Sequence, residues 1–373
     1  MKKSQYRAIY IAWFLLMMML GSVYTYSIYR PVVETEYQIS VTLSGLPYML
    51  SLASYALSMY VTGKALKKTS IKRMILMGGI LFTSAWMGAS LSQSFVGFTL
   101  FYGLIMGVAV GILYGAALEF VQRYTQANTG FFIGWMLLGF GLSSVVLSPL
   151  ASWVIQEQSM AILFMGFALV SGLILIPLYG LYPNDSMRQE TLSTSSSDAL
   201  RLLMLFTVAT MIGLTMIGLT NVIATNDYGF TPLNVAWAIS VFALLNGVSR
   251  PIFGWAFDRF GFKKSAFLSV GLMAIASTIN LLNQGSIWVL FLMGYGLYWF
   301  NLGAWLSLMP NYIKTRVGVK NYAPLYGKVF LGYGISAIIG TLISSVLLDL
   351  LGGARDVYIL DRKSTRLNSS HYS

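Results

Sequence analysis

The chain of 373 residues is 57% hydrophobic and only 10% charged, and its mean hydropathy is +0.70. Soluble domains carry about 25% charged residues, so this composition excludes an ordinary cytosolic enzyme, a disordered segment and a compact nucleic-acid binder. Lys and Arg number 24 against 12 Asp and Glu, and in a membrane protein such an excess reports topology. There is no Cys, and the single His, His371, lies near the C-terminal end, so we expect no metal, no cofactor and no enzyme chemistry.

Eleven apolar stretches reach the length of about 20 helical residues that a membrane span requires. In chain order they cover about residues 8–29, 43–63, 74–92, 97–120, 130–153, 160–182, 202–224, 233–257, 265–283, 287–309 and 323–349. The first follows Met1-Lys2-Lys3 as a secretory signal would, but it is too long for a signal core and ten spans follow. The sequence therefore predicts an all-α membrane protein that keeps its first helix.

Basic residues fall almost entirely on one side of this topology. With the N-terminus in the cytoplasm, 17 Lys and Arg lie in inside segments, and two, Arg30 and Arg355, lie outside. Positively charged loops stay in the cytoplasm, so this distribution predicts a cytoplasmic N-terminus. We expect a monomer in the lipid bilayer of a bacterial or archaeal cytoplasmic membrane, with no nucleic-acid partner.

Two segments lack membrane character. Residues 183–200 are polar and Ser-rich, and they predict a cytoplasmic linker between an N-terminal bundle, residues 1–182, and a C-terminal bundle, residues 201–360. Residues 361–373 back-translate, with permitted codons, into a common sequencing-library adapter. We therefore expect this tail to be an artefact and a twelfth span to be missing from the second bundle.

The two bundles repeat one another in sequence. A basic loop that starts at Gly63 recurs at Gly254, an offset of 191 residues. Gly134, Gly139 and Gly141 recur as Gly327, Gly332 and Gly334, an offset of 193. Fixed offsets of this kind predict two six-helix halves related as parallel repeats.

Two basic residues, Arg250 and Lys328, lie within predicted spans. A charge at mid-helix costs roughly 2.5–3.5 kcal/mol on insertion scales, so such residues usually face the bundle interior and have a partner. No acid lies well inside a span; Glu119 and Asp349 come nearest, at span ends. An anionic substrate is therefore a natural counter-ion, because Arg presents a planar fork that matches a carboxylate and Lys adds a point charge. The alternative is that both side chains bond to carbonyls of neighbouring helices or extend to the membrane surface.

The loop after the eighth span resembles the signature loop of the major facilitator superfamily, through Gly254, Asp258, Arg259 and Gly261. The resemblance implies a fold of two six-helix bundles, and it implies that this loop locks the two halves together on the cytoplasmic face. The first copy departs from the pattern, since Lys67 replaces the acid and Ser70 the second glycine.

Further positions resemble the oxalate/formate antiporter family, namely residues 113–117, 139–143, 148–151, 246–250, 321–322 and 326–328. The resemblance implies that Arg250 in helix eight and Lys328 in helix eleven bind the substrate carboxylate. Oxalate-binding members carry aromatics at two helix-ten positions where this chain has Leu302 and Leu306. That difference favours a less charged monocarboxylate over oxalate.

Candidate residues for the wall opposite the cations are aromatic: Tyr24, Tyr26, Tyr114 and Trp135. Tyr hydroxyls can bond to a carboxylate, although most of the chain's aromatics must serve packing or the membrane interface. Asn246 precedes Arg250 by one turn and either orients the guanidinium or makes an ordinary bond between helices.

Together these features predict a secondary transporter of small organic anions, an antiporter or a proton-linked symporter, that works by rocking of two bundles. The rival hypotheses are an exporter of amphipathic compounds and a non-transporting receptor on the same fold.

Overall fold

The computed structural model describes residues 3–125, 127–183, 196–283 and 287–351. Most of the predicted linker and the whole adapter-like tail lie outside the described residues. Within the described ranges the chain is helical almost throughout, and each of the eleven predicted spans coincides with a helix. The prediction of an all-α membrane fold is confirmed.

The N-terminal half contains six long helices. α1 runs through Lys3–Leu20, a 3₁₀ turn at Gly21–Thr25, and Tyr26–Glu36. A short turn at Val41–Ser44 leads to α2, Leu46–Ala65, and α3 is Ile71–Leu91. α4 comprises Phe95–Phe98, a π-helical segment Thr99–Ile105, and Met106–Tyr124. α5 is Thr129–Glu157 and α6 is Met160–Leu181.

The described part of the C-terminal half contains five helices. α7 is Ser196–Val222, continued by a π-helical turn at Ile223–Asp227. The continuous segment Pro232–Leu282 breaks at Gly261 into α8, residues 232–260, and α9, residues 262–282. The segment Trp288–Leu351 breaks at Gly318 into α10, residues 288–317, and α11, residues 319–351.

Local chemistry sets several of these boundaries. Side-chain oxygens of Ser70, Ser94, Ser159 and Thr231 accept hydrogen bonds from backbone N–H groups at the starts of α3, α4, α6 and α8. Gly261 and Gly318 have φ of 76° and 69°, in the left-handed region that a side chain disfavours. Each of these two glycines turns the chain sharply between two spans.

Eight helical stretches in the described part of the chain are long and apolar enough to cross a membrane. Two of them, Asn234–Leu282 and Trp288–Gly340, each hold two of the predicted spans on either side of a glycine break. α2, with buried serines at positions 51, 54 and 58, is not among these eight, and its 20 residues coincide with the second predicted span. The molecule is therefore a multi-pass membrane protein.

Two seams join the halves, one between α5 and α8 and one between α2 and α11. In the α5–α8 seam a Cβ on Gly141 would lie 2.4 Å from Gly247 Cα, and a Cβ on Gly134 would lie 2.2 Å from the Arg250 carbonyl oxygen. In the α2–α11 seam Gly334 faces Ala56 and Gly327 faces Met59. These pairs are related by the offsets of 191 and 193 residues, so the sequence repeat is also a repeat of contacts between the halves.

Candidate substrate site

Arg250 lies at the centre of the candidate site, on α8, and its side chain is only 1% exposed. Its Nη1 donates a hydrogen bond of 2.8 Å to the Leu137 carbonyl of α5, and its Nη2 donates one of 2.9 Å to Asn246 Oδ1. Its Nε is buried and has no hydrogen-bond partner among the described residues. The guanidinium carbon lies 5.7 Å from the centre of the Phe140 ring. A buried cation thus keeps a donor available to a ligand.

Asn246 fixes the orientation of Arg250. While its Oδ1 accepts from Arg250, its Nδ2 donates a hydrogen bond of 2.8 Å to the Trp299 carbonyl of α10. The amide therefore bridges two helices and also orients the guanidinium, so the two roles considered from the sequence are both present. Because the amide is neutral, it holds Arg250 without cancelling its charge.

Tyrosines surround Arg250 in a group that we call the tyrosine shell: Tyr24, Tyr55, Tyr114, Tyr326 and Tyr333. All but Tyr55 lie within electrostatic range of Arg250. The Tyr55 ring packs 5.5 Å from that of Tyr114, and the Tyr24 and Tyr333 hydroxyls hydrogen-bond to each other across the two halves. Neutral hydroxyls and the positive edges of aromatic rings suit a single anion next to one cation.

The N-terminal end of α5 and the C-terminal end of α8 are joined by contacts that we call the cytoplasmic seal, after the side on which the sequence predicts them. The Asp258 carboxylate accepts hydrogen bonds from the backbone N–H groups of Gly130, at 3.0 Å, and Phe131, at 2.8 Å. Lys314 Nζ, at the end of α10, donates one of 2.9 Å to Thr129 Oγ1. Burial lowers the pKa of Lys314 from its ordinary value, and the nearby Asp258 carboxylate partly opposes that change. A carboxylate at a helix N-terminus satisfies free N–H groups and complements the helix dipole.

Comparison with known proteins decides the family. The family model described as Major Facilitator Superfamily matches residues 11–202 and 201–360. The chain belongs to the major facilitator superfamily.

It is 24% identical over 346 residues to the oxalate:formate antiporter of Oxalobacter formigenes, covering 88% of this chain and 82% of that one. It is 22% identical over 326 residues to monocarboxylate transporter 12 of Xenopus laevis, covering 77% and 70%. Its fold matches the proton:xylose symporter XylE with a TM-score of 0.71 at 13% identity, over 96% and 93% of the two chains.

Within this major facilitator fold, Lys328 lies on a face of α11 that points away from Arg250. Successive helix residues are rotated by about 100°, so Lys328 projects about 200° around α11 from Tyr326, which faces the site. The Lys328 ammonium makes no hydrogen bond, ion pair or cation–π contact with the described residues, and its side chain is partly exposed. Of the two cations expected at the site, the structure places only Arg250 among the tyrosines, and the binding role expected for Lys328 stays a prediction.

Trp135, the repeat equivalent of Lys328, also points outward. It is 45% exposed and stacks 6.2 Å from both Phe14 and Phe131. Residues at offset 193 occupy equivalent faces of α5 and α11, so Trp135 and Lys328 both lie away from Arg250, and the site role expected for Trp135 stays a prediction.

Tyr26 is likewise removed from the site. Its hydroxyl donates a hydrogen bond of 2.5 Å to the Ser44 carbonyl, and its ring stacks 5.8 Å from Tyr48 and packs near Tyr102. It therefore packs inside the N-terminal half, near Arg30 and Glu34. The structure brings Arg250, Asn246, Tyr24 and Tyr114 together, and it leaves Lys328, Tyr26 and Trp135 outside this superfamily site.

Four aromatic residues of the site were missed from the sequence: Tyr55, Phe140, Tyr326 and Tyr333. A usable signal existed on α11, where aromatics recur at residues 322, 326, 330 and 333 and so form one helix face. The Phe330 ring lies 5.2 Å from Tyr333 and 5.1 Å from Tyr55, which places this face against the N-terminal half. Tyr55 and Phe140 carried no comparable periodic signal.

Proposed function

We propose that this major facilitator protein is a secondary transporter of small organic anions, with Arg250 as the residue that binds the substrate carboxylate. The observation that carries the proposal is the environment of Arg250: a fully buried guanidinium held by two neutral oxygens, with Nε unpartnered within the described structure. A buried cation is costly unless an anion joins it, and a carboxylate bonds a guanidinium fork through two parallel charge-assisted bonds.

The preferred substrate in this proposal carries one carboxylate. One guanidinium surrounded by tyrosine hydroxyls and rings neutralises one negative charge, and a second carboxylate would meet uncharged groups. On α10, Leu302 and Leu306 are 3% exposed and belong to the same apolar core as Tyr326 and Phe330. This setting supports a monocarboxylate with a short organic tail.

The names of similar proteins support the same substrate class. One relative is an oxalate:formate antiporter and another is a monocarboxylate transporter, and both act on carboxylates by name. At 24% and 22% identity they support the class of substrate, and they leave the choice among carboxylates to experiment.

Transport in this proposal proceeds by alternating access in the cytoplasmic membrane, with the N-terminus inside. Arg250 lies ten residues, about 15 Å, from the cytoplasmic end of α8, so the seal at Asp258 stands between the site and the cytoplasm. The end of α8, with Gly254, Asp258 and Arg259, and the break at Gly261 are the elements that open and close this side. Coupling is either anion exchange or proton-linked uptake.

Counterflow in proteoliposomes tests the proposal. Vesicles preloaded with formate, acetate, lactate, pyruvate, oxalate or malonate are diluted into the labelled acid, for the wild type and for Arg250→Gln. We expect counterflow with at least one monocarboxylate, weaker counterflow with the dicarboxylates, and loss of both in Arg250→Gln. Transport that survives Arg250→Gln would favour an exporter of amphipathic compounds, and saturable binding without counterflow would favour a receptor.

A further inference from the structure

The hydrogen bond between Arg250 and Leu137 joins the two halves of the molecule. Arg250 belongs to α8 in the C-terminal half, and Leu137 belongs to α5 in the N-terminal half. The bond is 2.8 Å long and is buried on both sides. The same guanidinium that is proposed to bind the substrate therefore also holds the α5–α8 seam.

Breaking this bond has unequal consequences for its two ends. The Leu137 carbonyl lies inside α5, where the N–H group four residues later, that of Gly141, also bonds to it. It therefore stays paired when the guanidinium leaves. Arg250, by contrast, would lose an acceptor while remaining buried, which is costly for a cation. When the site is empty, the hydrogen bond between Arg250 and the Leu137 carbonyl is therefore favoured. A bound carboxylate replaces the Leu137 carbonyl as acceptor, so that breaking this bond is no longer costly.

The packing of the seam keeps the two groups within bonding distance. A Cβ on Gly141 would lie 2.4 Å from Gly247 Cα and 3.6 Å from the guanidinium carbon of Arg250. Only residues without a side chain allow α5 and α8 to approach this closely. The length of the bond is therefore coupled to the distance between the two halves.

We propose that Arg250 is a latch between the halves as well as the substrate-binding residue, and that the Leu137 carbonyl competes with the substrate carboxylate for its Nη1. A carboxylate that takes one N–H of Nη1 and one N–H of Nη2, the two ends of the guanidinium fork, frees the Leu137 carbonyl and loosens the α5–α8 seam. Asn246 keeps its bond to Nη2 throughout. This inference rests on the proposed anion transport and adds the step by which binding permits movement.

The latch predicts that the empty carrier changes conformation more slowly than the loaded one. A hydrogen bond from a charged donor corresponds to roughly a tenfold or larger change in an equilibrium or rate. Exchange of anion for anion, in which the carrier moves only when loaded, is therefore expected to exceed net efflux by about tenfold or more.

The test compares exchange with net efflux of labelled monocarboxylate from proteoliposomes, using an acid that supports counterflow. Valinomycin and equal potassium on both sides hold the membrane potential at zero, so that charge movement does not limit net efflux. In the wild type, efflux into unlabelled acid is expected to be about tenfold faster than efflux into buffer. Equal rates would overturn the proposal, because the empty carrier would then move freely.

Two alanine substitutions separate the latch from general seam packing. Gly247→Ala places a Cβ 3.3 Å from the Gly141 carbonyl carbon and from Leu138, so it separates α5 from α8 by a few tenths of an ångström. Gly334→Ala is the control in the repeat-equivalent contact of the other seam, where its Cβ would lie 2.6 Å from Ala56 Cβ and so displaces that seam by more. We expect the ratio of exchange to net efflux to fall severalfold in Gly247→Ala only. An unchanged ratio in Gly247→Ala, or an equal fall in Gly334→Ala, would overturn the latch.

Failure of the latch and failure of anion transport give different results. Absence of counterflow with every carboxylate in the wild type contradicts the proposed function. Counterflow with equal exchange and net efflux contradicts the latch alone.

Discussion

The carboxylate of Asp258, in the C-terminal half, accepts a hydrogen bond of 3.0 Å from the backbone N–H of Gly130, in the N-terminal half. A second bond reaches Phe131, so one side chain caps a helix of the opposite bundle. Helix caps of this kind contribute about 1 kcal/mol. The interaction exists only while α5 and α8 meet at the cytoplasmic side, so it stabilises one conformation of the transporter over the other.

Removing this cap is expected to open the cytoplasmic side. In Asp258→Asn the side chain loses its charge and one of its two acceptors, and the population of the closed form should fall severalfold. Because the chain has no Cys, spin labels attached at Lys68→Cys and Lys264→Cys report the distance between the turn after α2 and the start of α9. Asp198→Asn is the control, since within the described residues Asp198 pairs with Arg201 alone, at 3.9 Å and in an exposed position. Unchanged distances in Asp258→Asn would show that the seal does not depend on the cap.

Substitutions of Asn246 distinguish orientation of Arg250 from its neutralisation. Asn246→Ala removes an acceptor of the guanidinium and should raise the KM for anion uptake about tenfold, the effect of about 1–2 kcal/mol. Asn246→Asp places a carboxylate 2.9 Å from Arg250 Nη2 and supplies an internal counter-ion, so uptake should be abolished. Uptake assays on both variants check this order. Equal activity of the two variants would contradict Arg250 as an anion-binding residue.

Lys328 and Tyr333 lie on the same helix, but substituting them should affect the KM for substrate very differently. Lys328→Leu is expected to leave the KM for substrate within about twofold of wild type, because Lys328 projects away from the site. Tyr333→Phe removes a hydroxyl that lies in electrostatic range of Arg250, and it should raise the KM severalfold. Initial rates of labelled uptake measure both effects. A larger loss in Lys328→Leu than in Tyr333→Phe would restore the two-cation site.

The lowered pKa of Lys314 predicts that closure of the cytoplasmic seal depends on pH. Burial lowers the pKa of Lys314 in the closed form, and contact with water returns it toward its ordinary value when the seal opens. In the closed form Lys314 therefore loses its proton at a lower pH than in the open form. As the pH rises through this lowered pKa, the equilibrium shifts toward the closed form. At pH values below the lowered pKa, Lys314 is protonated in both forms and contributes no pH dependence. The same spin-label distances, followed from neutral to alkaline pH, should show the closed fraction rising. Lys314→Gln should remove this rise, and a rise that persists would assign it to another group.

The sequence predicted the helices well because each span is a long apolar run. It also predicted the repeat, since glycines at fixed offsets mark the places where helices of the two halves touch. Charge patterning singled out Arg250 as a cation inside a span, and the structure buries it there, next to Gly247 and Gly254. These features depend on composition and spacing along one helix.

The other residues of the site were harder to predict from the sequence, because the sequence does not show which face of each helix points toward Arg250. Lys328 and Tyr326 differ by two positions and therefore project in nearly opposite directions from α11. Trp135, the repeat equivalent of Lys328 on α5, lies on the corresponding outward face. The bond from Arg250 to the Leu137 carbonyl could not be predicted from residue types, because its acceptor is main-chain and depends on how closely α5 and α8 approach.

The break at Gly261 has a mechanical consequence. A single residue with φ of 76° separates α8, which carries Arg250 and Asp258, from the peripheral helix α9. Because only one residue connects the two helices, α8 cannot tilt without moving the start of α9. Any displacement that starts at the guanidinium is passed to the lipid-facing edge of the bundle, so substrate binding should alter how the protein sits against the surrounding lipid.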